Sequence, residues 1–296
     1  MRDKTLLPSL GVAGSGALWG LYWIPISIFN ARGLDGAWVA LVMFAISVLL
    51  LAGPFLARRD RGGGHLASQL TTGLLCGGAF MLYSVSLVLT DVVHSILLFY
   101  VTPVWSTLLG ALLLGERITP SRIAAIVLGL AGLLLVLHAG AGIPWPRNLG
   151  DWLSLLAGVI WAYGSLRLFA SEDGRLGETV FFFSLGGLLV SAVFVLLPIE
   201  GLSGGVPHAA ILANLPWLVA MSVLVFVPST YLIAWGAHVI SPGRVGILLM
   251  TEVVVGTVTS ALFSSAPFGW HEAAGALLIL AAALVDVLGR SRLQPA

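Results

Sequence analysis

Charged residues are scarce in this chain. Only 9% of its 296 residues are Asp, Glu, Lys or Arg, whereas soluble domains carry about 25%. Hydrophobic residues make up 58% of the chain, and its mean hydropathy is +1.03. A water-soluble core cannot account for so apolar a composition, so we interpret the chain as an integral membrane protein. The net charge of +1 gives no sign of a nucleic-acid partner.

Missing residue types exclude several kinds of site. Lys4 is the only lysine, so the chain has no phosphate-binding Walker loop and cannot drive transport with ATP on its own. Cys76 is the only cysteine and lies in an apolar segment, which excludes a disulfide framework and a thiolate metal cluster. No two aspartates are close enough in sequence to build a metal-diphosphate site. We therefore predict no metal, no cofactor and no enzymatic activity.

Two short motifs resemble catalytic signatures but lack the required context. "HEAAG" from His271 is half of the zinc motif H-E-x-x-H and has no second histidine. "GLSGG" from Gly201 matches G-x-S-x-G, but a nucleophile elbow needs a strand before it and a helix after it. An intramembrane enzyme is therefore a disfavoured alternative.

Long apolar runs fill nearly the whole sequence. A spanning helix needs about 20 apolar residues, and the runs predict an all-α membrane protein with ten transmembrane helices. The first run follows "MRDK", and we interpret it as a span rather than a cleaved leader because further spans follow at once. The predicted spans are 10–30, 35–57, 66–90, 92–115, 121–139, 150–170, 178–199, 214–238, 241–265 and 270–289.

Basic residues are divided unequally between the two sides of these spans. On the side opposite the termini there are only Arg32 and Arg147. The positive-inside rule therefore predicts cytoplasmic termini. The basic residues on the terminal side are Arg2, Lys4, Arg58, Arg59, Arg61, Arg117, Arg122, Arg167, Arg175, Arg244, Arg290 and Arg292.

The two halves of the chain resemble each other. "GALWGLYWIPI" in span 1 resembles "GVIWAYGSLRL" in span 6, and the segment from "TPVWSTLLG" in spans 4 and 5 resembles the segment from "TEVVVGTVT" in spans 9 and 10. Five spans are an odd number, so the second copy must be inverted in the membrane. We predict two inverted five-helix repeats, residues 1–140 and 141–296, around a central cavity, a common plan of secondary transporters.

Two tryptophans lie near the middle of the membrane at matched positions of the repeats. Trp19 is nine residues after Leu10 and Trp161 is ten after Asp151, which puts both about 14 to 15 Å deep. Packing is one explanation, but two matched indoles near the repeat axis favour walls of a cavity. Most tryptophans in membrane spans belong instead to interfacial belts, as expected for Trp38, Trp145, Trp152, Trp217 and Trp270 near the helix ends.

Glu252 is the only charged residue in "GILLMTEVVVGTVTSALF". An ionisable group at mid-membrane depth is a functional candidate, although it could equally be a hydrogen-bonded glutamate that holds two helices together. Tyr22 and Tyr100 reach similar depths, and buried tyrosine hydroxyls need a partner. With Trp19 and Trp161, these three residues form the predicted substrate-binding set. Arg167, near the inner end of span 6, is interpreted as extending to the cytoplasmic surface.

Proline and glycine mark bends and close contacts. Pro25, Pro103 and Pro228 lie inside spans 1, 4 and 8, where proline kinks a helix, so we predict hinges there. "GALWG" and "GLLCG" have the small-xxx-small spacing that lets helices approach closely. We favour packing within the chain over dimerisation, which predicts a monomer or a weak homodimer.

The sequence resembles the drug/metabolite transporter superfamily, in particular its EamA-type ten-helix members. The resemblance is carried by "GALWGLYW", by "YVTPVWSTLLGALLLGERITPSRIAAIVLGLAGLLLVL" and by the degenerate copy from "TEVVVGTV". The second copy departs from the family pattern because it lacks the Gly-Glu ending and has Val253 after Glu252. Within the family the chain is most similar to the YddG branch. The resemblance implies export of aromatic and other neutral amino acids by alternating access, with export of lipophilic drugs or other metabolites as the alternative.

Overall fold

The computed structural model describes residues 5–34, 36–57, 63–137, 145–171, 175–197, 206–264 and 268–289. Within these ranges the regular structure is entirely helical. Nine helical segments of the described chain are long and apolar enough to cross a membrane, and Pro120–Val136 is a shorter apolar helix. These ten segments fall where the sequence predicts spans. The "GLSGG" motif and seven of the twelve basic residues used for orientation lie outside the described residues.

The ten segments comprise fourteen α-helices, because several segments are interrupted. The first half contains α1 (Leu6–Gly20), α2 (Trp23–Ala31), α3 (Gly36–Leu56), α4 (Gly63–Leu89), α5 (Val92–Phe99), α6 (Thr102–Leu114) and α7 (Pro120–Val136). The second half contains α8 (Leu149–Ala170), α9 (Leu176–Leu196), α10 (His208–Met221), a π-helix (Ser222–Phe226), α11 (Val227–Val239), α12 (Pro242–Leu249), α13 (Thr251–Ser264) and α14 (Trp270–Gly289).

The three predicted hinge prolines all follow an interruption. Pro25 is the third residue of α2, just after the break that ends α1. Pro103 lies in the first turn of α6 and Pro228 in the first turn of α11, immediately after the π-helix. Proline is tolerated in a first turn because the amide hydrogen that it lacks has no partner within the helix there. The interruptions are thus part of the fold, while a hinge function for them stays a prediction.

Helices of the first half pack mainly against helices of the second. The α1 helix contacts α11, α12 and α13, and α8 correspondingly contacts α4, α5 and α6. The last helices of the two halves, α7 and α14, pack against each other. The core therefore lies between the halves, where α1 and α8 each insert into the other half.

Glycines make these contacts close. A Cβ atom added at Gly20 would meet backbone atoms of α13, and one at Gly16 would meet the end of α12. Added Cβ atoms at Gly73 and Gly77 of α4 would meet the backbone of α9. Both small-xxx-small motifs are therefore used within the chain, as the sequence interpretation favoured.

The "GERITP" stretch forms the connection between α6 and α7. Gly115 ends α6 in the left-handed conformation with φ of 67°, which glycine adopts without a steric penalty. Thr119 then caps α7 by accepting a hydrogen bond from the backbone N–H of Arg122 at 3.2 Å, and Pro120 occupies the first turn. The short turn therefore ends α6 and starts α7, which packs against α14.

Trp38 differs from the expected interfacial tryptophans. Its side chain is only 7% exposed and packs in the main core with Phe29 and Leu34. A position near a helix end does not show whether the side chain faces lipid or a neighbouring helix. The prediction of an interfacial Trp38 was therefore wrong. The other four lie on the outside of the bundle, with exposures of 74% for Trp145, 58% for Trp152, 58% for Trp217 and 68% for Trp270.

Candidate functional site

A narrow cavity between the halves brings Trp19 and Trp161 together. Its volume is about 30 Å³, room for about two water molecules. An amino acid would fit only after neighbouring side chains or helices move. The lining is formed by Trp19, Thr72, Gly73, Cys76, Phe80, Trp161, Leu168, Thr179, Phe183, Thr230, Ile233 and Ala234.

Aromatic rings surround the cavity on the side of Trp19. The Trp19 ring lies 4.9 Å from that of Phe80 and 5.7 Å from that of Phe226, between ring centroids. Phe183 contacts both Phe80 and Trp161, at 6.2 and 6.4 Å. Rings at these distances present an apolar surface suited to an aromatic or aliphatic group.

Hydroxyl groups line the remaining part of the cavity. Thr72 accepts a hydrogen bond from Nε of Arg167 at 3.0 Å, and Thr179 donates one to the side-chain oxygen of Gln69 at 3.2 Å. Thr179 lies in the first turn of α9, and Leu168, which also lines the cavity, lies in the last turn of α8. The cavity therefore has an aromatic end deep in the bundle and a polar end towards these helix termini.

Arg167 is half-buried, and its extension to the cytoplasmic surface stays a prediction. Its guanidinium turns to α4, where Nη2 donates to the hydroxyl of Ser68 at 3.1 Å and to the Ser68 carbonyl at 3.4 Å, while Nε donates to Thr72. The small residue Gly164, one turn earlier on α8, lets α8 approach Cys76 of α4 closely. This approach brings the guanidinium within reach of α4.

Tyr100 and Glu252 form a second group away from the cavity lining. The Tyr100 hydroxyl donates to Oε2 of Glu252 at 2.7 Å and lies 3.3 Å from the Leu249 carbonyl oxygen. Phe99 stacks on Tyr83 at 4.1 Å beside this pair. Tyr100 ends α5 and Glu252 opens α13, so their hydrogen bond joins the interruptions of the two broken spans.

Tyr22 lies beside Trp19 without lining the cavity. Its ring contacts Trp19 at 5.2 Å, and its hydroxyl donates to the Met43 sulfur at 3.1 Å. The five predicted site residues are therefore not gathered around one space. Trp19 and Trp161 share the cavity, Tyr22 supports Trp19, and Tyr100 pairs with Glu252.

Sequence analysis missed most of the cavity lining. Phe80 and Phe183 lie in runs of apolar residues, where no polar face distinguishes inward from lipid-facing positions. Thr72 and Thr179 were missed because threonine is common in membrane spans. A detectable signal was Gly73 in the small-xxx-small motif "GLLCG", but such a motif indicates close helix packing rather than a cavity.

Buried ions close one end of the bundle. Asp286 on α14 pairs with two arginines: Nε of Arg122 lies 2.9 Å from Oδ1, and Nε of Arg244 lies 3.0 Å from Oδ2. Arg122 also donates to the Ser241 hydroxyl at 2.9 Å, and Arg244 to the Thr5 hydroxyl at 3.1 Å. The three ionised side chains are at most 5% exposed. This arginine–aspartate cluster connects α7, α12, α14 and the start of α1.

Hydrogen bonds with mostly neutral donors close the opposite end. Asp151, which is 1% exposed, accepts from the Thr90 hydroxyl at 2.6 Å and from the backbone N–H of Arg147 at 2.8 Å. Asn148 also donates to Thr90 at 2.9 Å, and His94 lies 3.5 Å from the Asp151 carboxylate. This Asp151 network connects the start of α8 with the junction between α4 and α5.

The first half of the chain is similar to a known family. The family described as "EamA-like transporter family" matches residues 7–138. The match covers the first half of the chain, from α1 to α7, and includes both stretches of that half on which the sequence resemblance rests.

One curated relative and one solved structure extend the comparison. A protein of Streptantibioticus cattleyicolor named "Probable terminal-alkyne amino-acid exporter" is 30% identical over 162 residues, which are 49% of this chain and 52% of that protein. The match thus spans about half the length of that relative. A solved crystal structure is 23% identical and superposes with a TM-score of 0.72, covering 95% of this chain and 98% of its own. This likeness shows that the fold is shared over nearly the whole chain.

Proposed function

We propose that this protein is a secondary transporter that exports aromatic and other neutral amino acids across the bacterial inner membrane by alternating access. The observation that carries the proposal is the shared cavity of Trp19 and Trp161 between the two halves. Its aromatic walls suit an apolar side chain, and its hydroxyl groups suit a polar group at the other end. The name of the Streptantibioticus relative supports an amino acid as the substrate.

We propose further that residues 1–140 and 141–296 are two inverted repeats of five crossings. The breaks after Tyr100 and at Met250 lie 150 residues apart, and the starts of α7 and α14, at Pro120 and Trp270, have the same separation. The reciprocal packing of α1 and α8 on the other half is the packing expected from a pseudo-two-fold axis. In such transporters one repeat moves against the other around a central site.

The narrow cavity is consistent with a closed state between inward-facing and outward-facing forms. Opening one end requires the arginine–aspartate cluster to separate, and opening the other requires the Asp151 network to separate. The interruptions that precede Pro25, Pro103 and Pro228 provide places where the helices can bend. We propose that the hydrogen bond between Tyr100 and Glu252 couples the two broken spans during this change.

The direct test is flux of radiolabelled amino acids in proteoliposomes of the purified protein. We expect transport of phenylalanine, tryptophan and leucine that increases with a substrate gradient, and we expect Trp19→Ala and Trp161→Ala to reduce it more for phenylalanine than for alanine. An aromatic contact contributes about 0.5 to 1.5 kcal/mol beyond area burial, which corresponds to a loss of about two- to tenfold in apparent affinity. Absence of flux for every neutral amino acid would refute the proposal.

The second candidate function is export of lipophilic drugs or other small metabolites. It is favoured by the largely apolar cavity lining, which contains seven aliphatic or aromatic side chains and no carboxylate among the described residues. Competition separates the two functions in the same assay. Robust transport of a lipophilic cation together with no amino-acid flux would assign the cavity to drug export.

A further inference from the structure

The polar end of the cavity lies beside a positive charge that no carboxylate of the described residues neutralises. Within the described chain Arg167 bonds only to neutral oxygen atoms, those of Thr72 and Ser68. Thr72 lines the cavity. A guanidinium gains more from a charge-assisted pair with a carboxylate than from hydrogen bonds to hydroxyl groups. The charge is therefore available to an anionic group that enters the cavity.

The indole N–H of Trp161 is a second hydrogen-bond donor at the same cavity. Trp161 is 7% exposed and lines the cavity, and its Nε1–H has no hydrogen-bond partner among the described residues. A buried N–H without a partner costs free energy, and an indole can only donate. Trp161 therefore lacks an acceptor, and Arg167 would gain by exchanging a neutral acceptor for a carboxylate. They lie on the same helix, α8, less than two turns apart.

Two other charged groups of the described chain have partners of their own. Arg175, at the start of α9, lies 3.6 Å from the carboxylate of Glu178. Glu252 accepts from Tyr100 and does not line the cavity. Among the described lining residues, no carboxylate is present to attract a substrate cation. Arg167 is a cation bonded directly to a residue of that lining, Thr72.

We propose that Arg167 and the Trp161 N–H bind the carboxylate of the substrate, with its side chain directed towards Trp19 and Phe80. This inference rests on the proposed function, because it takes the cavity to be the transport site. It adds that an anionic group is required and that a ligand with only a positive charge is disfavoured. Guanidinium and carboxylate match as a planar, two-bond pair. When the carboxylate displaces Thr72 from Arg167, the Thr72 hydroxyl retains its own hydrogen bond to the Ser68 carbonyl at 2.9 Å.

Three ligands that share a phenyl ring test which charge matters. Binding of L-phenylalanine to the purified protein is measured in competition with 3-phenylpropionate, which lacks the ammonium group, and with phenethylamine, which lacks the carboxylate. We expect 3-phenylpropionate to compete and phenethylamine to compete at least tenfold more weakly. Equal competition by the two analogues would overturn the carboxylate subsite.

Three substitutions at the two subsite residues assign the preference to them. Arg167→Gln should weaken binding of phenylalanine and 3-phenylpropionate about tenfold or more while leaving phenethylamine within about twofold, and Arg167→Lys should recover part of the loss. Trp161→Phe keeps an aromatic ring and removes the donor, so it should give a smaller loss confined to the two carboxylates. Arg175→Gln is the matched control, because it removes an arginine at the same end that is already paired. Wild-type selectivity in Arg167→Gln, with a normal gel-filtration profile, would overturn the inference.

The outcomes separate this inference from the proposed function. If phenylalanine is transported but Arg167→Gln retains wild-type selectivity, the function stands and the subsite does not. If the protein binds 3-phenylpropionate through Arg167 but moves no amino acid, the subsite stands and amino-acid export does not. A protein that prefers phenethylamine would contradict both.

Discussion

The two ends of the helix bundle are closed by different chemistry at corresponding positions. His94 and Arg244 are 150 residues apart and occupy the first turns of α5 and α12. In the arginine–aspartate cluster, Arg244 shares Asp286 with a second guanidinium. In the Asp151 network, His94 is peripheral, and a hydroxyl and a backbone N–H supply the close contacts.

This difference means that the two closures should differ in strength. Two buried arginines are committed to one carboxylate, and removing that carboxylate leaves two charges without compensation. The Asp151 carboxylate is surrounded by neutral donors, which can turn to other partners or to water. A transporter built this way would open more easily at the end that carries the Asp151 network. Substitutions at the two ends test whether the arginine–aspartate cluster is the stronger closure.

Asp286→Asn should produce the largest loss of stability. The amide keeps the shape of the side chain but removes the charge that compensates Arg122 and Arg244, and breaking a buried ion pair costs about 3 to 5 kcal/mol. Thermal unfolding of the purified protein in detergent measures the effect. Asp91→Asn is the control, since asparagine caps a helix as well as aspartate does. A shift no larger than that of the control would show that the cluster does not hold this end closed.

Asp151→Asn should destabilise the protein less, by about 1 to 3 kcal/mol. The carboxylate accepts from Thr90 and from the backbone N–H of Arg147, and hydrogen bonds to a charged group contribute about 1.5 to 3 kcal/mol. The asparagine oxygen can still accept one of them, which limits the loss. The same unfolding assay applies. A loss equal to or greater than that of Asp286→Asn would reverse the proposed order of the two ends.

His94→Gln should have the smallest effect on stability, below about 1 kcal/mol. Its ring lies 3.1 Å from the Trp145 carbonyl oxygen and 3.5 Å from Asp151, and one hydrogen bond near the surface contributes about 0.5 to 1.5 kcal/mol. Glutamine can replace it as a donor. The counterpart Arg244→Gln, tested beside it, should lose several times more. Similar losses in both variants would mean that the corresponding positions do not differ as the structure indicates.

Cysteine labelling determines which end faces the cytoplasm without altering stability. In a Cys76→Ser background, Val206→Cys should react with an impermeant maleimide from outside the cell, and Ser171→Cys should not. The expectation follows from the distribution of basic residues, which predicts cytoplasmic termini. Labelling of Ser171→Cys alone would invert the orientation, so that the arginine–aspartate cluster would face outward.

Much of the fold was predictable because a lipid environment restricts the choices. Every backbone polar group must be satisfied within a span, so apolar runs of about 20 residues had to be helices. The positions of Pro103 and Pro228 located two of the interruptions. The π-helical form of the interruption before Pro228 was not predicted, because Ser222–Phe226 carries no residue pattern that distinguishes it from an α-helix.

The candidate site was predictable only in part. Depth along a helix follows from counting residues, which is why Trp19 and Trp161 were found together. The direction of a side chain around the helix axis depends on which helices are neighbours, and an apolar sequence contains little information about that. For this reason Glu252 was placed with the tryptophans although it pairs with Tyr100, and the contact of Arg167 with Thr72 on α4 was not anticipated.

The π-helix also affects how this chain should be aligned with others. A π-turn accommodates one residue more than an α-turn over the same rise, and an α-helix advances by about 100° per residue. Removing one residue between Ser222 and Phe226 therefore converts the π-turn into an α-turn and leaves the cavity-facing residues Thr230, Ile233 and Ala234 in the same direction relative to α10. A one-residue gap of a homologue belongs inside the π-helix for this reason, because a deletion elsewhere in the helix would turn the side chains after it by about 100°.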